Sequence, residues 1–322
     1  MMLIRWKCKY ITDLKSIAVY VFLSAVGYTW AQSDYQIYDR PPFQYYYAGR
    51  DEALLGRLDN ALQDRLREME GLLEARLLGT LRVELPLTRG EFNRLTQGRA
   101  PHWSGGMAFP QQMQVVLKTP AFIDGEAPMD AMAAHEVAHI LLHQATKGHQ
   151  LPRWFEEGLC QVLAGETRLH SLSRLGRAAA ADRLMGLPRV DNVLSFSSSD
   201  ADLAYAEARA AVITFIDHFD WTTVRTVIAS IAAGQEFADA FKAATGFEYD
   251  YWQADWLENA QKKYKNIVLL DIENYIWIGI ALLSLTAIGA VFIRNRRQLK
   301  KWMKEEEEDE GPPEPSNEPI HP

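Results

Sequence analysis

The chain has 322 residues, 48% hydrophobic and 24% charged, with 2 cysteines. That composition excludes collagen-like, disulfide-scaffold and wholly disordered chains, and the length suffices for a sizeable core. The formal net charge of −8 is uneven: residues 32–293 hold 24 bases against 33 acids. A body that acidic excludes nucleic acid as a partner held through its phosphates.

Arg5, Lys7, Lys9 and Lys15 precede an apolar run over 16–28, and Thr29-Trp30-Ala31 places small residues three and one before a cut. Residues 1–31 read as a signal peptide cleaved after Ala31, with an uncleaved anchor as the alternative. Cys8 falls inside it. Cys160 then has no internal disulfide partner and reads as a small buried side chain rather than a nucleophile.

Asp34 to Tyr47 is aromatic and reads as extended. Over 51–78, Leu54, Leu55, Leu58, Leu62, Leu66 and Met69 recur at helical spacing, with Gly79 as the expected stop. These two pieces form an N-terminal segment, 32–78. Leu81 to Leu87 alternates as a strand that Pro86 limits. Thr88 and Glu91 stand at capping-box spacing ahead of a short helix ending at Leu95. Strand segments follow at 104–110 and 114–119. Helices are expected over 130–144, 153–163, 202–218, 221–233, 237–245 and 251–265, with a serine-rich loop at 195–199. A mixed region up to about residue 123 thus precedes a helical half, an α+β pattern.

Tyr275 to Ile293 carries no charge. As a helix it is about 28 Å long, close to the thickness of a bilayer's hydrocarbon. Tyr275 and Trp277 suit one interface. Arg294, Arg296, Arg297, Lys300, Lys301 and Lys304 crowd the other flank and mark it cytoplasmic. The tail over 294–322 turns from basic to acidic, and after Lys304 it is Glu- and Pro-rich, a composition that stays disordered. The expectation is a single-pass membrane protein with its body on the exported side and its C-terminus in the cytoplasm.

The chemistry centres on Ala134-His135-Glu136-Val137-Ala138-His139. A helix places His135 and His139 on one face, where both imidazoles can share a Zn²⁺ at roughly 2.0–2.1 Å. Glu136 is placed to act on water at such a metal without being a ligand. A third ligand is needed, and Trp154-Phe155-Glu156-Glu157-Gly158 offers two acids on a following antiparallel helix. His143 also lies four beyond His139, but one straight helix wraps an ion poorly with three histidines. His149 and His170 lack comparable spacing.

Residues 135–158, HEVAHILLH…LPRWFEEG, resemble the peptidase MA-like family of gluzincin zinc metallopeptidases, and more distantly the aminopeptidases of that clan. The likeness extends over about 80–245. It implies a gluzincin-like metallopeptidase domain at 79–266, in which a small mixed sheet sets its edge strand over a cleft beside a helical metal-binding half. It further implies one Zn²⁺, a peptide or protein substrate and a bacterial envelope setting, periplasmic or extracellular. The WxxEG arrangement selects Glu157 as the third ligand and leaves Glu156 to solvent or to a contact behind a ligand.

The aminopeptidases carry GGMEN or GAMEN on the edge strand, where the Glu holds the substrate's free amine. Here Gly105-Gly106-Met107 is followed by Ala108 and Phe109, which cannot pair with an ammonium group. The expected activity is therefore a zinc peptidase that is not a strict aminopeptidase, with an inactive zinc-containing scaffold as the alternative. By the same resemblance Tyr205, opening a later helix, would donate to the developing oxyanion. Gln161 stands where gluzincins often place an acid or hydroxyl residue, four after the Glu ligand.

Overall fold

The computed structural model describes residues 35–48, 52–122, 128–166, 169–266 and 272–309. The signal-peptide reading, Cys8 and the tail beyond Asp309 lie outside them.

The aromatic stretch expected to be merely extended is a hairpin of two strands, β1 (Tyr35–Arg40) and β2 (Phe43–Ala48). Inward positions of β2 are buried aromatics, Phe43, Tyr45 and Tyr47, the alternation that seats a strand on a core. β2 runs parallel to β3 (Leu81–Leu85). β3 in turn is parallel to β5 (Gln114–Leu117), and β5 pairs antiparallel with β4 (Gly106–Phe109). The order β1-β2-β3-β5-β4 makes a mixed sheet with β4 on an edge.

Between β2 and β3 runs α1 (Glu52–Leu73), whose Leu55, Leu58, Leu62, Leu66 and Met69 are buried. It stops six residues short of the expected glycine. Glu74 already turns left-handed (φ 51°), and the Glu70 carboxylate accepts from the Leu77 N–H at 2.8 Å, so a side chain ends the helix before Gly79 is reached. The short helix α2 (Arg89–Leu95) begins as expected, with Thr88 accepting from the Glu91 N–H at 3.2 Å. The return bond differs: Glu91 takes the Leu87 N–H instead of that of Thr88.

The rest is helical: α3 (Met129–Ala145), α4 (Arg153–Leu163), α5 (Leu169–Ala180), α6 (Leu187–Val190), α7 (Ser198–Ala232), α8 (Phe237–Thr245) and α9 (Tyr249–Lys265). The two helices expected over 202–233 form one run interrupted at Asp220 (φ 63°, ψ 176°). α5 and α6 were not foreseen. One hydrophobic core joins β2, β3 and β5 to α1, α3, α4 and α7–α9. The fold is therefore α+β, a small five-stranded sheet beside a helical body.

A last helix, α10 (Ile272–Asp309), stands apart in character and continues past Lys304 into the acidic stretch expected to be disordered. Its segment Tyr275–Glu305 is long and apolar enough to cross a membrane, and none of its apolar window is buried in the protein. A core helix would bury that face.

Candidate metal centre

Two helices carry the site, and the residues that lock them together explain the surrounding sequence. α3 is lined with small and apolar residues, and Ala133, Ala134, Val137, Ala138 and Leu141 are buried. α4 is anchored from behind by Trp154, whose indole N–H donates to the Tyr249 hydroxyl at 2.7 Å and whose ring stacks on Tyr249 and Trp252. Phe155 packs edge-on to Phe215 of α7. Gly158 lets α4 lie directly on α7: a Cβ there would sit 2.5 Å from the Ala208 carbonyl oxygen. The aromatic pair and the glycine of WFEEG therefore fix the helix that holds both acids.

His135, His139 and Glu157 converge. The two Nε2 atoms are 3.2 Å apart, and Glu157 Oε2 lies 3.3 Å from Nε2 of His135 and 3.5 Å from Nε2 of His139. Tetrahedral bonds of 2.0–2.1 Å would set ligand atoms about 3.3–3.4 Å apart. The triangle thus has the size of one face of a zinc tetrahedron. Glu157 Oε2 is buried and lacks a hydrogen-bond partner among the described residues, a cost that a cation would relieve. Two imidazoles and a carboxylate are also an ordinary donor set for zinc.

Each of the three is held at its other polar atom. His139 Nδ1 meets Glu156 Oε1 at 2.9 Å, which places the Glu156 carboxylate against the outer nitrogen of His139. Nδ1 of His135 lies 2.9 Å from Glu166 Oε1, off the ideal hydrogen-bond line. Arg153 Nη1 donates to Glu157 Oε1 at 3.2 Å, so only Oε2 faces the histidines. A carboxylate at Nδ1 favours a proton there and leaves the Nε2 lone pair for a metal.

The electrostatics follow. Burial opposes a charge on His135, yet the Glu157 and Glu166 carboxylates beside its two ring nitrogens outweigh it and lift the pKa to about 9. Burial would raise Glu157, but His139 and His135 hold it well below the usual carboxylate range. In Glu136 burial prevails over both histidines, and the carboxyl is raised. Burial, with Glu157 adding to it, pushes the Tyr205 phenol well up, so it keeps its proton. Cys160 is fully buried and burial lifts its thiol to about 12, the behaviour of an inert packed side chain.

A cleft of about 240 Å³ opens over the triangle, lined by Glu136, Tyr205, Trp103, Arg99, Leu194 and β4. β4 lies hard against α3. A Cβ on Gly105 would fall 2.2 Å from Met132 Sδ, and one on Gly106 3.0 Å from Glu136 Cγ. The backbone N–H of Ala108 lies close enough to the Glu136 carboxylate to favour its charged form. A larger groove of about 690 Å³ shares Arg99, Ala108, Pro110, Arg153 and Glu156 with this cleft and extends it past His143 and His149. Those two histidines are not among the converging donors. The side chain of His170 lies outside the described residues.

Gln161 spends its amide on the backbone. Its amide donates to the carbonyls of Tyr205 (2.9 Å) and Glu157 (3.3 Å), tying α4 to the start of α7. Glu166, which does reach His135, has no counterpart in the sequence-based expectations. The one available signal was Gly165, a glycine just past a helix end.

An α+β fold with an HExxH helix and a glutamate from the next helix converging on one point defines a metallopeptidase-type domain. The chain belongs to the Peptidase MA superfamily, which it matches over residues 98–262. No curated protein matches it.

Proposed function

We propose that the protein is a membrane-anchored zinc peptidase that hydrolyses internal or carboxy-terminal peptide bonds rather than acting as a strict aminopeptidase. The observation that carries this is the triangle of His135 Nε2, His139 Nε2 and Glu157 Oε2, with Glu136 and Tyr205 lining the same cleft. Zinc held there would polarise a scissile carbonyl and make water acidic enough to attack it. Glu136 takes the water's proton and returns it to the leaving nitrogen; its raised proton affinity suits a base. Tyr205, protonated, donates to the oxyanion. The groove that continues the cleft along edge strand β4 favours an extended peptide, held in part through main-chain hydrogen bonds. Ala108, where the aminopeptidases carry their amine-binding acid, argues against recognition of a free amino terminus.

In the proposed organisation residues 1–31 export the chain, 32–78 lead into the metallopeptidase domain at 79–266, 275–293 span the membrane and 294–322 remain in the cytoplasm. Long exposed apolar α10 supports the span. The test pairs zinc analysis of the full chain with a peptide-library and N-terminal profiling comparison of wild type and Glu136→Gln. One zinc per chain, with cleavage lost in the variant, is expected. Zinc without cleavage by the wild type would leave a scaffold, and absence of stoichiometric metal would overturn the reading altogether.

A further inference from the structure

α4 does not simply stop at Leu163. Gly165 is left-handed (φ 67°), its N–H bonds to the Val162 carbonyl at 3.0 Å, and the N–H of Glu166 bonds back to the Gln161 carbonyl at 3.1 Å. This pair is the helix-closing motif in which the second residue past the cap folds back along the helix. The fold-back carries Glu166 from the far end of α4 to the outer nitrogen of His135 on α3. The turn is held from outside as well. A Cβ on Gly165 would lie 2.7 Å from the guanidinium carbon of Arg65 on α1, so a side chain there would push the guanidinium aside as well as strain the left-handed turn.

We propose that Glu166 is a positioning residue for the metal, acting on His135 from outside the cleft. This rests on the metal reading above. Gln161, at the position where an acid could be expected behind the histidines, is committed to two backbone carbonyls. Glu166, five residues further on, supplies the missing carboxylate. It fixes the His135 ring and its tautomer, as Glu156 does for His139. Glu156 lines the substrate cleft, whereas Glu166 lines a separate groove with Asp130 and Arg65. Its effect on the metal is therefore separable from substrate contact.

The test is zinc affinity of the full-length protein in detergent, measured by chelator competition, for wild type, Glu166→Gln, Glu166→Ala and Gly165→Ala. The visible spectrum of the Co²⁺-substituted forms is recorded beside it. Glu166→Ala is expected to bind zinc about 10–100-fold more weakly and to shift the Co²⁺ bands. Glu166→Gln, whose amide oxygen still accepts a hydrogen bond, should lose less. Gly165→Ala, which leaves the carboxylate in the chain but disturbs the turn, should also weaken binding. KM for a cleaved peptide should stay within about twofold in Glu166→Gln, because the residue does not line the cleft. Affinity and Co²⁺ spectrum unchanged in Glu166→Ala, or in Glu166→Gln should the alanine variant not fold, would overturn the assignment while leaving the metal centre standing. A wild type that binds no zinc would instead remove the centre and this role together.

Discussion

The ring of Tyr205 stands edge-on to that of His135, with centroids 6.4 Å apart and planes at 73°, and edge-on again to Trp103 at 5.8 Å. Packing on the ring therefore orients the phenol, whose hydroxyl is the proposed donor to the oxyanion. Tyr205→Phe keeps the packing and deletes the donor. Steady-state kinetics on a cleaved peptide should show kcat reduced about 10²–10³-fold, with zinc content unchanged. Undiminished turnover would take Tyr205 out of the reaction.

Metal removal should be visible in stability. Chelation leaves the Glu157 carboxylate between two imidazoles with an unpartnered buried oxygen. Free zinc at a hundredfold above its Kd adds about 2.7 kcal/mol, roughly 5–10 °C in Tm for a domain of this size. A melting curve of the full chain in EDTA should move down by that amount and recover with zinc but not magnesium. Coincident curves would contradict the site.

Gly158→Ala should damage the protein without touching the ligands. Its added methyl meets the Ala208 carbonyl and Val212, both at 2.5 Å, and backbone cannot step aside as a flexible side chain can. A loss of about 1–3 kcal/mol is expected from such overpacking. Displaced α4 also carries Glu157 away from the histidines, so zinc affinity should fall in parallel. Urea unfolding and chelator competition on the same preparation check both; normal values in each would show that the α4–α7 seam can relax.

Glu207 supplies a pH dependence away from the metal. It is fully buried and accepts from the N–H groups of Met185 (2.8 Å) and Gly186 (3.0 Å). Burial nevertheless outweighs those bonds and raises its pKa from 4.5 to about 7. Below 4.5 the group is protonated whether folded or unfolded. Between 4.5 and 7 the folded state binds the extra proton, so its contribution to stability declines as pH rises and is lost above 7. The change amounts to roughly 3 kcal/mol at most. Glu207→Gln cannot ionise; the stability of the variant relative to wild type should rise from pH 5 to pH 8 in urea titrations. A constant difference would show that the carboxyl is not perturbed.

Local spacing made half of the centre legible. His135, Glu136 and His139 follow from one helical turn, and the apolar residues around them foretell a buried helix. Glu157 could be told from Glu156 only through the resemblance, because both acids sit on the same turn and both are near the histidines. Their division of labour depends on how α4 rolls against α7, which Gly158 and Trp154 decide through contacts remote in sequence. Glu166 was harder still, since its reach depends on a left-handed glycine and on Arg65 about a hundred residues upstream. Likewise the hairpin β1–β2 carries no signal of its own for joining β3 in parallel, a pairing set across the length of α1.

At Gly105 and Gly106 the edge-strand segment, bare of side chains, lies against Met132 and Glu136 of α3. A larger residue at either position would therefore have to displace Met132 or Glu136 before it could reach the cleft. On the proposed function, room to tune what the cleft accepts lies in the walls, at Arg99, Trp103 and Leu194, while a change in the floor would reach Glu136 directly.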